Sequence, residues 1–192
     1  MTTATLQADA AKAPAGIPAI LALDLSMTAT GVCNTDGNTS TIKTKPTGDQ
    51  RLLTIIEGVR RAVGIGQGYL GAPLAELAVI EDLPTHAKAA GITGMVQGAV
   101  RTELMRLHVP YVLVTPASLK KWTTGKGNAD KVAMGVAALK RFGREFANDN
   151  ECDAFCLRAM ALDALGHALA PMPAVNRVAL NAVKWPRIGG AA

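Results

Sequence analysis

Ile20-Leu21-Ala22-Leu23-Asp24-Leu25-Ser26-Met27-Thr28-Ala29-Thr30-Gly31-Val32-Cys33 reads as a buried strand, a turn and a second strand. Ile20 to Leu23 is a short unbroken apolar run, the pattern of a strand covered on both faces. Asp24 stands where that run stops. A carboxylate at the end of a central strand is costly to bury without a partner, and a metal ion or a substrate group is the usual one. The competing reading of Asp24 taken alone is a turn aspartate capping the Ser26–Thr30 loop. Asp24 is not alone. Leu77-Ala78-Val79-Ile80-Glu81 is a second apolar run ending in a carboxylate, and Asp153 falls in the first turn of the last predicted helix.

Outward from this stretch, the chain alternates strand and helix signals. Residues 1–17, rich in Ala, Thr and Pro and without a period, are expected to form a disordered arm. The first strand is expected over Pro18–Asp24 and the second over Gly31–Asn34. Asp36-Gly37 is a hairpin signal, and Ser40–Thr44 alternates as a third strand, so three antiparallel strands open the domain. Asp49 is placed to cap a helix running to about Val63, with Leu52, Leu53, Ile56, Val59 and Val63 as its apolar stripe. Gly64 to Gly71 is glycine-rich, but it follows a helix and lacks the Lys-Ser/Thr ending of a phosphate loop, so it reads as a linker turn.

After the Leu77–Glu81 strand, a long helix is expected from Pro84 or Thr85 to about His108, with Gly94 and Gly98 on one face. Tyr111–Val114 is the fifth strand. Pro116 then opens a short helix over Ala117–Trp122. A polar loop over Thr123–Asn128, a helix over Ala129–Phe142 and a last helix over Asn150–Leu169 follow. Residues 172–192 read as a basic extension. The order β-β-β-α-β-α-β-α-α predicts an α/β mixed sheet flanked by helices.

Composition limits the function classes. With 192 residues, 49% of them hydrophobic, the chain can bury one full core, and aromatics at 4% leave that core to Ala, Val, Leu and Ile. No apolar run approaches the roughly 20 residues that span a bilayer. The first residues lack the basic-then-apolar pattern of a secretory leader. Cys33, Cys152 and Cys156 form no metal-type cluster and read as small buried residues of a reducing compartment, so a cytoplasmic protein is expected. The net charge is +5, and its placement says more than its size. Residues 101–144 carry nine Lys/Arg against two acids, whereas residues 145–171 carry five acids against one Arg. A basic stretch beside an acidic cluster suits an enzyme that grips a polyanion and cuts it with metal ions; a solvated basic face is the plainer alternative.

Asp24, Glu81 and Asp153 share one property: each lies at the end of an element. Two divalent ions roughly 4 Å apart need several converging carboxylates, with positions open to water and phosphate. In that chemistry one ion activates the attacking water and the other stabilises the leaving 3′ oxygen, while basic side chains neutralise developing charge.

The pieces ILALDLSMTATGV, AVIEDLP, MVQGAVR, TPASLKKWTTGKGNADK and DNECDAFCLRAMAL, in this order between Ala19 and Leu169, resemble the RuvC-type Holliday junction resolvases of the RNase H-like superfamily. The resemblance places the family's first aspartate on Asp24, its glutamate on Glu81, its last aspartate on Asp153 and its two functional lysines on Lys120 and Lys131. It implies an RNase H-like nuclease domain over residues 18–171, two Mg²⁺ or Mn²⁺ ions, branched four-way DNA as substrate, and a homodimer, for which the long Pro84–His108 helix is the candidate interface. Where the family carries Asp or His three residues before its last aspartate, this chain has Asn150. Asp149, Asn150 and Glu151 are the candidates for the fourth ligand. Asp149 is preferred because it lies four residues before Asp153, on one helix face. The alternative is that Asp149 or Asn150 only caps the helix.

Further DNA contacts are assigned to Lys120, Lys121, Lys126 and Lys131, with Lys126 in a flexible basic loop suited to phosphate. His86, at the start of the long helix, is either a DNA contact or a helix-start polar residue. Trp122 is read as packing its short helix onto the sheet in preference to stacking on a base, and His167 as a rim histidine. Two rival functions stand. Asp24–Gly31 also resembles the first phosphate loop of sugar kinase/actin-type ATP-binding proteins, which need two such domains. A non-catalytic nucleic-acid-binding module of the same fold is the other.

Overall fold

The structure is a computed structural model and describes residues 16–45, 47–64, 74–83 and 90–188. Residues 1–15 of the expected arm, the glycine-rich turn after Gly64, the start of the long helix with His86, and the last four residues lie outside the described residues, while Ile17, at the end of the expected arm, packs against the core.

A five-stranded sheet forms the middle layer. Its strands are β1 (Ile20–Asp24), β2 (Ala29–Cys33), β3 (Thr39–Lys43), β4 (Leu77–Glu81) and β5 (Tyr111–Val114), in the order β3-β2-β1-β4-β5. β2 runs antiparallel to both β1 and β3, while β1, β4 and β5 are mutually parallel neighbours. The mixed sheet expected from the sequence is therefore present, with β1 central. The hairpin after β2 closes at Gly37, whose φ of +90° is a conformation that favours glycine.

Residues alternate between two cores, as strand geometry requires. Leu21, Leu23, Val32, Ala78 and Ile80 face α1 (Gln50–Val63) and α2 (Ala90–Arg106). Ile20, Ala22, Cys33, Leu77 and Val79 face α5 (Asp149–Ala164), with α3 (Pro116–Thr124) and α4 (Lys131–Phe142) completing that layer. α5 is buried on all sides, which is why it shows no amphipathic stripe.

Several boundaries differ from expectation for identifiable reasons. Asp49 precedes α1 but makes no side-chain cap, because its own backbone is already helical. α4 starts at Lys131, two residues late, because Asp130 caps it by accepting from the Ala133 N–H. α5 starts after Asn148, whose Oδ1 accepts from the Glu151 N–H at 3.0 Å. It stops at Ala164, five residues short of Leu169. There Gly166 turns left-handed and the His167 N–H bonds back to the Leu162 carbonyl at 2.7 Å, a Schellman-type stop. The chain after Pro171 packs against the α5-side core through Met172, Ala179, Leu180, Val183 and Trp185, by way of a short helix α6 (Ala174–Arg177) and a 3-10 turn (Val178–Ala182).

Candidate active site

Sheet register brings the first two carboxylates together. Leu23 pairs with Ile80 across the parallel β1–β4 ladder, so Asp24 and Glu81 are the next residues of adjacent strands. Each lies two residues beyond a side chain that faces α5, Ala22 for Asp24 and Val79 for Glu81. Period-two alternation therefore turns both toward the first turns of α5, where Asp153 sits. The Asp24 and Glu81 carboxyl groups are close enough that each perturbs the titration of the other.

Charge is concentrated here. Burial, then the proximity of Asp24 and Asp153, pushes the Glu81 carboxyl up to about 9. Burial, followed by Asp24 and Asp149, lifts Asp153 to about 7. Asp24 is raised as well, chiefly by burial. Three half-buried carboxylates that hold their protons this far up are a site short of positive charge. Lys120, from α3, is within electrostatic reach of Glu81 and Asp153, and Lys131, from the first turn of α4, reaches Asp24 and Asp153. Lys131 forms an ion pair with Asp149, raising the lysine and lowering the aspartate.

The three candidates ahead of Asp153 point to different places. Asp149 is on the lysine side of the cluster, engaged by Lys131. The Asn150 backbone carbonyl packs onto Gly31 of β2. Glu151 is buried and turned toward β3, where its Oε1 accepts from the Thr41 hydroxyl at 2.8 Å and from the Asn148 amide at 3.2 Å. Lys121 lies beside Lys120 on α3, half-buried, and Lys126 is exposed in the loop after it. The turn after Asp24 closes on its own hydroxyls. Ser26 Oγ accepts from the Ala29 N–H at 3.0 Å, and Thr30 Oγ1 donates to the Ser26 carbonyl at 2.8 Å. Trp122 is 1% exposed, and His167 is half-buried at the rim.

Two positioning groups went unread in the sequence. Gln97 of α2 is buried and donates from Nε2 to the Glu81 carbonyl at 2.8 Å, tying that helix to the end of β4. Gly31, paired with Asp24 across β1–β2, lets the start of α5 lie directly on the sheet. The signal for each was its place in a piece that resembles the family, MVQGAVR for Gln97 and ILALDLSMTATGV for Gly31, with Gly31 also a strand glycine.

Among the described residues, no three acidic, histidine or cysteine side chains are drawn close enough to cage an ion by themselves. The donor set nevertheless suits a hard divalent cation. It is all carboxylate oxygen, its members are held above their ordinary range by burial and mutual repulsion, and Mg²⁺ is commonly held by one or two carboxylates with water and substrate phosphate completing the shell.

No family model and no curated protein matches the sequence. Solved structures do. The chain is similar to a Thermus thermophilus RuvC structure at 18% identity and a TM-score of 0.56, over 72% of this chain and 89% of that one. It is also similar to T. thermophilus RuvC in complex with a Holliday junction substrate, at 18% identity and a TM-score of 0.60, over 80% of this chain and 98% of that one. With its antiparallel-then-parallel sheet and the helices that flank it, the chain has the RNase H-like fold of the RuvC type.

Proposed function

We propose that the protein is a metal-dependent, structure-selective DNA endonuclease that resolves four-way junctions by hydrolysing phosphodiester bonds. The observation that carries this reading is the meeting of Asp24, Glu81 and Asp153 at the sheet end, faced by Lys120 and Lys131, on a fold shared with a resolvase solved on its junction. Asp24, Glu81 and Asp153, with Asp149 at the edge, would hold two Mg²⁺ or Mn²⁺ ions per active site. When bound, such ions supply an activated water and neutralise the leaving 3′ oxygen. The chain's own residues do the rest. The carboxylates would hold the ions facing the scissile phosphate; being anionic, they do not bind that phosphate directly. Lys120 places a cation beside Glu81 and Asp153, where charge grows on the phosphate as water attacks. Lys131, paired with Asp149 in the free protein, is the second such cation, carried on a helix that follows the Gly125–Asp130 loop. Lys121 and Lys126 grip phosphates along the strand; His86 is a further candidate contact.

A homodimer fits two symmetric cuts, and Ile92, Met95 and Met105 expose apolar area on α2, the helix expected to carry the interface. No helix among the described residues is long and apolar enough to cross a membrane. The kinase/actin reading rests on the Asp24–Gly31 turn alone, and that turn's Ser26 and Thr30 hydroxyls are committed to closing it. The non-catalytic reading leaves the crowded carboxylates without a purpose. The test is a cleavage assay on four-way, flap and linear DNA with and without Mg²⁺. Symmetric, Mg²⁺-dependent cutting of the four-way form supports the proposal. ATP turnover without cleavage would favour the kinase reading, and junction binding without cleavage the binding module.

A further inference from the structure

We infer that the C-terminal segment 172–188 acts as a clamp on α3 that sets the position of Lys120, with Asn176 and Arg177 as positioning residues acting through Trp122. The inference rests on the role proposed for Lys120. Lys120 and Trp122 are two residues apart on α3, so about 200° of helix rotation separates them and they occupy opposite faces. Whatever holds Trp122 therefore sets the rotation of α3 about its axis, and with it the direction in which Lys120 projects.

Trp122 is held at both ends of the residue. Its ring Nε1 donates to Asp163 Oδ2 on α5 at 3.0 Å, and its carbonyl accepts from Asn176 Nδ2 at 2.8 Å. Asp163 is 2% exposed and Asn176 is 4% exposed, so both bonds are shielded from water. The other Asp163 oxygen, Oδ1, takes Arg177 at 3.2 Å, which supplies the charge that a buried carboxylate needs. The Trp122 carbonyl is one of the last four of its helix, and such groups lack intrahelical donors. Its neighbour, the Thr123 carbonyl, is taken by Arg141 from α4 at 2.6 Å. The end of α3 is thus fastened by directional bonds from α4, α5 and the C-terminal segment. These directional bonds add to the packing of Leu119 and Trp122 in fixing the rotation of α3.

The segment that supplies Asn176 and Arg177 lies beyond Leu169, outside the stretch whose motifs resemble the resolvases. The effect of the clamp should be on geometry at the scissile phosphate, where a displacement on the order of 1 Å is enough to cost rate heavily.

The experiment is a double-mutant cycle. Asn176→Leu, alone and combined with Lys120→Ala, is compared with wild type for single-turnover cleavage at saturating four-way junction and for junction Kd. The expected result is an about tenfold slower cut with Kd within about twofold, and no further loss when Lys120 is already alanine. If Asn176→Leu fails to fold, Arg177→Met is read the same way; the Arg177 side chain is 51% exposed and its apolar stem is kept. An unchanged rate, or an equal loss in the presence and absence of Lys120, would overturn the clamp. A wild-type protein that cuts no branched DNA would instead sink the proposed function, and the clamp with it.

Discussion

Replacing Gly31 with alanine should separate the two halves of the site. A Cβ built on Gly31 stands 2.1 Å from the Asn150 carbonyl oxygen and 2.5 Å from its carbonyl carbon. Both are backbone atoms of the first turn of α5, so no side chain can swing aside. Bringing the 2.1 Å contact to the 3.0 Å that real Cβ atoms respect parts β2 from α5 by about 0.9 Å. Overpacking of this kind typically costs roughly 1–3 kcal/mol, offset by about 0.5–1 kcal/mol because alanine suits a strand better than glycine. A net loss of roughly 1–2 kcal/mol lowers Tm by about 2–8 °C in a chain of this size, so the variant should still fold. The shift carries Asp149 and Asp153 away from Asp24, which pairs with Gly31 across the ladder. A 1 Å misplacement of reacting groups costs about 10²-fold in rate. Single-turnover cleavage by Gly31→Ala should therefore fall by about 10², with junction Kd changed far less. A folded Gly31→Ala protein that cuts within about twofold of wild type would refute the reasoning that the β2–α5 contact sets the carboxylate geometry.

Other outcomes follow from the same arrangement. Lys120→Ala and Lys131→Ala should each lower single-turnover cleavage by about 10²–10³ while leaving junction affinity nearly intact; wild-type rates at saturating DNA would make both plain solvated lysines. Lys126→Ala should weaken binding to all DNA shapes alike and reduce the slope of log affinity against log salt by about one, and an unchanged slope would place Lys126 off the DNA. Glu81 at about 9 and Asp153 at about 7 mean that the folded protein binds more protons than the unfolded chain above the ordinary carboxylate range. Their contribution is thus fully present at low pH and is lost as pH rises toward 9. Without divalent ions, Tm should fall across that window, and Mg²⁺ or Glu81→Gln should flatten the fall; a metal-free Tm that rises with pH there would contradict the crowding of these carboxylates.

How much of this was legible differs from residue to residue. Asp24 and Glu81 could be read because each ends an apolar run, and two parallel strands ending alike must bring their last residues together. Lys120 and Lys131 were reached through the resemblance of the TPASLKKWTTGKGNADK stretch; Pro116 marked the start of the first helix, but the Asp130 cap of the second was not read, so its start fell two residues early. The start of α5 was harder. Asn148, Asp149 and Asn150 are all good caps, and only tertiary contact picks Asn148, whose amide also donates to Thr41 at 2.9 Å on β3. That choice sends Glu151 toward β3 and leaves Asp149 facing Lys131. Asp49 looked like a cap by type, but type does not fix backbone conformation, and its helical φ/ψ removes the geometry a cap needs. The C-terminal segment carried no periodicity to announce that Asn176 and Arg177 meet Trp122 and Asp163, since those partners are more than ten residues away in sequence and joined only by the fold.

On the proposed function, Asp24 serves the chemistry of strand cutting and not the grip on DNA. Asp24→Asn keeps the shape and removes the charge. Single-turnover cleavage of a four-way junction in Mg²⁺, measured beside junction Kd, tests it directly. Cleavage should be abolished and its response to Mg²⁺ lost, with binding nearly unchanged; an Asp24→Asn protein that cuts at close to the wild-type rate would place Asp24 outside the chemistry.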